Sequence, residues 1–128
     1  MKKTLFPSRT IPRRSEVQHG KEFTEKGRTG ELELCQVLQD HGYRVSPGMA
    51  VSFGDTPDLV GLPGVHIECK RVERLNLRAA MEQAERDAAF FKDGAPTVFR
   101  RQNRQPWLVT MRLSDWLKLY GNVTKQEK

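Results

Sequence analysis

Glu68 and Lys70 stand two residues apart in Val65-His66-Ile67-Glu68-Cys69-Lys70, and Asp58 lies ten positions before Glu68 in Pro57-Asp58-Leu59-Val60. The hexapeptide alternates apolar and polar residues. That is the period of a β-strand, in which successive side chains point to opposite faces. Val65, Ile67 and Cys69 then share one face, and His66, Glu68 and Lys70 share the other. Asp58 joins Glu68 and Lys70 if a second strand lies alongside. Carboxylates are hard oxygen ligands suited to Mg2+ or Mn2+. A lysine beside them can hold an attacking water and balance charge on a phosphate during in-line displacement. The chemistry these residue types point to is metal-dependent hydrolysis of a phosphodiester.

The elements that must position these side chains are legible around them. Helix signals run from Glu25 to His41, where Gly42 supplies a stop. Leu34, Cys35 and Leu38 form an apolar stripe on that helix, with Val37 at its edge. Glu31 lies on the same inward side, where an unpaired carboxylate is costly; Glu33 points elsewhere. Tyr43-Arg44-Val45-Ser46 reads as a first strand and Asp58–Leu62 as a second. Pro63-Gly64 turns the chain into the strand that carries Glu68 and Lys70. Asn76 is an N-cap for a helix over 77–91, whose stripe is Leu77, Ala80, Met81, Ala84, Ala88 and Phe91. Strands follow at 96–100 and 107–111, then a short helix from Leu113 to Tyr120. Helix, three strands, helix, two strands and helix predict an α/β fold with a mixed sheet of about five strands.

The chain has 128 residues and a net charge of +6, enough for one modest core. Residues 1–30 hold eight Lys/Arg against three Glu, whereas residues 31–128 hold fourteen Lys/Arg against thirteen acids. A basic arm on a nearly neutral domain suits a polyanion, nucleic acid above all; the plainer reading is a solubilising tail. We divide the chain into a basic arm over 1–23, a catalytic domain over 24–121 and a polar tail over 122–128. No apolar run is long enough for a membrane helix, and none follows Met1-Lys2-Lys3 to make a signal peptide. Cys35 and Cys69 lack metal-site spacing and read as small buried hydrophobes, which fits a reducing, cytoplasmic setting. There is no Gly-rich phosphate loop, so no nucleotide cofactor is expected.

Glu31, Pro57-Asp58, Glu68-x-Lys70 and Gln83 together resemble the active-site signature of the PD-(D/E)xK nuclease superfamily. The subgroup most similar in pattern is that of archaeal-type Holliday junction resolvases and related phage nucleases. In those a Lys-Gly pair opens a helix and a glutamate follows four residues after the glycine; here Lys26-Gly27 precedes Glu31. Gly54-Asp55-Thr56-Pro57-Asp58 is also similar, with one extra residue, to the Gly-x-Pro-Asp of virus-type replication and repair nuclease domains. The resemblance spans roughly residues 26–90.

The resemblance implies a restriction-endonuclease-like fold, a central mixed sheet flanked by helices. It implies that Asp58 and Glu68 bind the metal with the main-chain carbonyl of Cys69, and that Glu31 is an additional ligand. Lys70 would orient or activate the attacking water, and Gln83 would position the Lys70 region or the substrate phosphate. It further implies a homodimer that cuts opposed strands of branched DNA, a four-way junction above all. One departure stands out: the resolvases often carry a longer basic loop with a serine between the first two strands. Flap, nicking or restriction-type cleavage is therefore the alternative among enzymes, and a non-catalytic DNA-binding module the alternative outside them.

Each residue also has a plainer reading. A Glu-x-Lys pair is commonly a cross-strand ion pair on a solvated face. Glu31 can pair with Arg44 or Arg71, and Gln83 can be an ordinary helix residue. Asp55 rivals Asp58 but sits in a good turn sequence. His66 reads as a partly buried polar residue ahead of a ligand. Lys26 and Arg28 at the first helix, with Arg71 and Arg74 after the central strand, are the candidate phosphate contacts; Arg78 has acidic neighbours competing for it. Trp116, with Leu113 and Leu117, either packs the core or makes a dimer contact.

Overall fold

The computed structural model describes residues 25–48 and 57–126, with side chains from 29 to 48 and from 57 to 125. The elements are α1 (Glu25–Asp40), β1 (Ser46–Pro47), β2 (Leu59–Val60), β3 (Val65–Arg71), α2 (Leu77–Phe91), β4 (Ala95–Arg101), β5 (Leu108–Met111) and α3 (Leu113–Gln126). The five strands form one sheet in chain order. β3 and β4 pair in parallel, and the other neighbours pair antiparallel. This is the α/β fold with a five-stranded mixed sheet and flanking helices that the order of elements predicts. The arm over 1–23 and the loop through Asp55 lie outside the described residues.

Parallel strands need a long crossover, and α2 supplies it between β3 and β4. Asn76 caps its start, accepting a 3.0 Å bond from the Ala79 N–H. Its end is closed by Lys92 in the left-handed conformation at φ 53°, whose N–H bonds back to the Ala88 carbonyl. Gly94 follows at φ +134°, and a Cβ there would lie 2.4 Å from the Gly64 backbone. Only glycine allows the starts of β3 and β4 to meet this closely, and the Ala95 N–H then donates to the Gly64 carbonyl at 2.9 Å.

Both faces of the central strands are covered. On one, Leu34 and Cys35 of α1 pack with Val45, Leu59, Ile67 and Phe99. On the other, Ala80 and Ala84 of α2 pack with Val98. The residues that α2 buries are Ala80, Ala84 and Ala88, all without bulk beyond Cβ, so the helix can press close to the sheet. The polar face of β3 is consequently not a solvated one. His66 and Glu68 are 0% and 2% exposed.

Two boundaries differ from the sequence expectation. Tyr43–Val45 is not strand. The Val45 carbonyl is taken by α1 side chains, Gln39 Nε2 at 2.8 Å and the Cys35 thiol at 3.3 Å, so sheet pairing begins only at Ser46. Pro47 is tolerated because β1 is an edge strand. The segment from Asn122, read as a polar tail, instead continues α3 to Gln126. Thr124 Oγ donates to the Tyr120 and Gly121 carbonyls, and Asp115 and Lys125 sit in the first and last turns where they complement the helix dipole. Leu113, Trp116 and Leu117 are exposed rather than part of the core, with Trp116 stacked on Tyr120 at 5.0 Å. No helix among the described residues is long and apolar enough to cross a membrane.

Candidate active site

β2 lies alongside β3 as the sequence required, with Leu59 opposite Ile67. One residue further along that antiparallel register, Asp58 reaches the level of Glu68. Asp58 is 5% exposed, and its Oδ2 accepts the Cys69 N–H at 2.7 Å. A charge-assisted bond of this length fixes the carboxylate against β3. Lys70 Nζ lies 3.5 Å from Glu68 Oε2 and donates to Gln83 Oε1 at 3.0 Å. The Lys70 side chain is 25% exposed against 2% for Glu68, so access to the group runs past the ammonium.

The polar face of β3 meets α2 in a regular ladder. Lys70 faces Gln83, Glu68 lies near Asp87, and His66 stacks on Phe91 with ring centroids 6.3 Å apart. Alternate strand residues are spaced by about 6.6 Å and helix residues four apart by about 6 Å. An antiparallel helix and strand can therefore stay in step over three levels. Lys70, Glu68 and His66 come from the strand period, and Gln83, Asp87 and Phe91 from the helix period.

His66 is fixed from its other side. Its Nδ1 lies 2.8 Å from Asp93 Oδ1, just beyond α2, while Nε2 stands 3.7 Å from Glu68 Oε1. Burial, the largest single influence, lowers its pKa, but the attraction of Glu68 and Asp93 outweighs it and the net shift is upward. The sequence reading placed His66 on the face of Glu68 but missed Asp93. Asp87 was discoverable as the next turn after Gln83 on the same helix face. Asp93 was hidden by its turn-like Asp-Gly context.

The N-terminal half of α1 closes the other side. Gly30 is buried, and a Cβ there would fall 2.3 Å from Arg71 Cβ, so the helix crosses β3 where no larger residue fits. This brings Glu31 and Glu33 to the end of β3. Glu33, expected to point away, accepts from Arg71 Nε at 3.0 Å and also pairs with Arg101. Arg71 thus pairs with Glu33, and its guanidinium also lies 3.8 Å from Glu73. Arg74 and Arg78 are exposed. The side chains of Lys26 and Arg28 lie outside the described residues.

The charges of the surrounding acids register on Cys69. Its thiol pKa is pushed well above the ordinary value, first by burial and then by the charges of Asp58, Glu31, Glu68 and Glu33. All four carboxylates act on this one strand position. Carboxylate oxygens are the donors of a hard divalent cation, but among the described residues the group whose ligand atoms lie within 4.8 Å of one another is His66, Glu68 and Asp87, with Asp58 and Glu31 outside it. No protein-family model matches the chain, and no curated protein matches it in sequence.

Burial also pushes Cys35 up, to about 11 from an ordinary 9.0. Because the thiolate is the reactive form, neither cysteine of the native protein should react with Ellman's reagent at about pH 8, whereas both should in denaturant. Cys35 binds its proton more tightly folded than unfolded. Its contribution to stability is therefore complete below pH 9 and lost as the pH rises towards about 11. Rapid labelling of the native chain would contradict this burial.

Proposed function

We propose that this chain is a metal-dependent DNA endonuclease that hydrolyses phosphodiester bonds in branched DNA, most specifically a four-way junction. The observation that carries the reading is the meeting of Asp58, Glu68, Lys70 and Gln83 on one short stretch of β3, with Lys70 tethered to Gln83 and beside Glu68. An ordinary surface ion pair does not recruit a second strand's carboxylate and a third element's amide, nor bury its acid to 2%.

In this reading Asp58, Glu68 and the Cys69 main chain would hold Mg2+ or Mn2+, with Glu31 as the additional ligand. The bound cation would stabilise negative charge on the phosphoryl oxygens and the leaving oxygen. The Cys69 N–H keeps the Asp58 carboxylate aimed, so it needs no reorganisation when the substrate arrives. Lys70 points its ammonium from the protein side towards the opening, where it can orient the attacking water and balance charge on the phosphate. Gln83 holds that ammonium in place, a positioning task, and is itself beside the path of the substrate phosphate. The exposed Arg74, with Lys26 and Arg28 of α1, would engage neighbouring phosphates. Arg71 would do so only with the guanidinium edge left after Glu33 is satisfied. The partner in this reading is a second copy of the chain, which would place two sites against opposed strands, in a cytoplasmic setting.

The test is a panel of labelled four-way junction, flap, nicked and linear DNA incubated with Mg2+. The expected result is cutting of the junction that needs Mg2+ and disappears in Asp58→Asn. Cutting that survives chelation or is unchanged in Asp58→Asn would overturn the assignment. DNA retention without any cutting would support the non-catalytic module, and preference for another substrate would redirect the reading to a flap, nicking or restriction-type nuclease.

A further inference from the structure

The residues beneath the Lys70–Gln83 contact form a second constellation of different chemistry. His66, Glu68 and Asp87 each offer one ligand atom, and these atoms all lie within 4.8 Å of one another. His66 is completely buried. Its Nε2 has no hydrogen-bond partner and is aimed at Glu68 from 3.7 Å. That separation is too long for a hydrogen bond. It is close to the roughly 3.3–3.6 Å between neighbouring ligands of a tetrahedral ion with bonds of about 2.0–2.2 Å. The other ring nitrogen is held by Asp93 at 2.8 Å. A carboxylate behind a ligating imidazole is the usual outer support of a metal-bound histidine, fixing both the ring and the nitrogen it presents.

We propose that His66, Glu68 and Asp87 form a site for a divalent transition-metal ion on the α2 side of β3, with Asp93 as its positioning residue. An imidazole with two carboxylates selects Mn2+, Co2+ or Zn2+ over Mg2+, which prefers oxygen and keeps its water. The site shares only Glu68 with the oxygen donors of Asp58 and Glu31. The ring of Phe91 packs on His66 and Ala84 and Ala88 line the same helix face, so the ion would sit in a closed, structural position rather than on an open face. Bound there, it would pin α2 to β3 at the middle rung of the ladder, directly under Gln83. The inference does not rest on the nuclease reading, since the site is defined without DNA and without Lys70.

Titration of the full chain with Co2+ alone, followed by visible absorption and calorimetry, tests it. The expected result is a Co2+ ion with a tetrahedral-type spectrum, distinct from any Co2+ on the oxygen-only site. Affinity should be weakened at least about tenfold in His66→Gln and in Asp87→Asn, and about 10–100-fold in Asp93→Asn. Asp58→Asn should retain the spectrum, which separates this site from the oxygen-only one. The half-buried Asp87 variant keeps the test decisive if His66→Gln fails to fold. Binding unchanged in Asp87→Asn, or abolished by Asp58→Asn while Asp87→Asn retains it, would overturn the proposal. Failure of DNA cutting alone would leave these binding results intact and count only against the nuclease reading.

Discussion

Replacing Lys70 with alanine should lower Mg2+-dependent DNA cutting by about two to three orders of magnitude, the usual cost of removing one preorganised charged donor. The Lys70 ammonium is held by Gln83 at 3.0 Å and lies 3.5 Å from Glu68, so its position is set before substrate enters. Alanine removes the charge nearest the opening without touching Asp58 or its bond to Cys69. The loss should therefore fall on kcat, with DNA affinity retained within about tenfold. Lys70→Arg should recover little, because a planar guanidinium cannot take the place of a compact ammonium against the Gln83 amide. Gel assays under single-turnover conditions separate binding from chemistry, and circular dichroism checks the fold. Cutting by Lys70→Ala at the wild-type rate would remove Lys70 from the chemistry.

The second large effect is on stability. Ile67→Ala should destabilise the domain by about 2–5 kcal/mol, the loss of buried methylenes plus the cavity they leave. Ile67 is 0% exposed and packs with Leu34 and Cys35 of α1, Leu59 of β2 and Phe99 of β4. No single neighbour can move to fill the space without leaving its own contacts. A domain of this size holds only about 5–15 kcal/mol in total, so the variant should have a much lower urea midpoint with an unchanged slope. The effect should reach function as well, because His66 and Glu68 flank Ile67 on the strand. A change below about 1 kcal/mol would mean that the α1 layer repacks freely, contrary to the close-fitting core.

Much of this architecture is local in origin. The alternation in Val65–Lys70 gives β3 and the shared face of His66, Glu68 and Lys70, since strand geometry leaves no other arrangement. Asn76 at the start and Asp93-Gly94 beyond the end give α2 its bounds, because caps act within one turn. The Pro57-Asp58 and Pro63-Gly64 turns bring β2 beside β3. With these, Asp58 near Glu68 was already implied by the order of residues.

What tertiary structure alone decided is which face meets which. That Gln83 answers Lys70 depends on the rotation of α2 against the sheet, set by Ala80, Ala84 and Val98 packing together. Glu33, which the sequence pointed elsewhere, pairs with Arg71 because Gly30 lets α1 cross β3 at that height. His66 joins Asp93 across 27 residues of chain, and no local window encodes such a meeting. α3 runs on through residues whose polarity read as a tail, because its hydroxyl and dipole contacts are satisfied only once the helix exists. The sequence by itself determined the strand that carries Glu68 and Lys70 and the carboxylate beside it. The tertiary packing decided which neighbours hold them, because close contact between a helix and a sheet is set by the shapes of both surfaces at once.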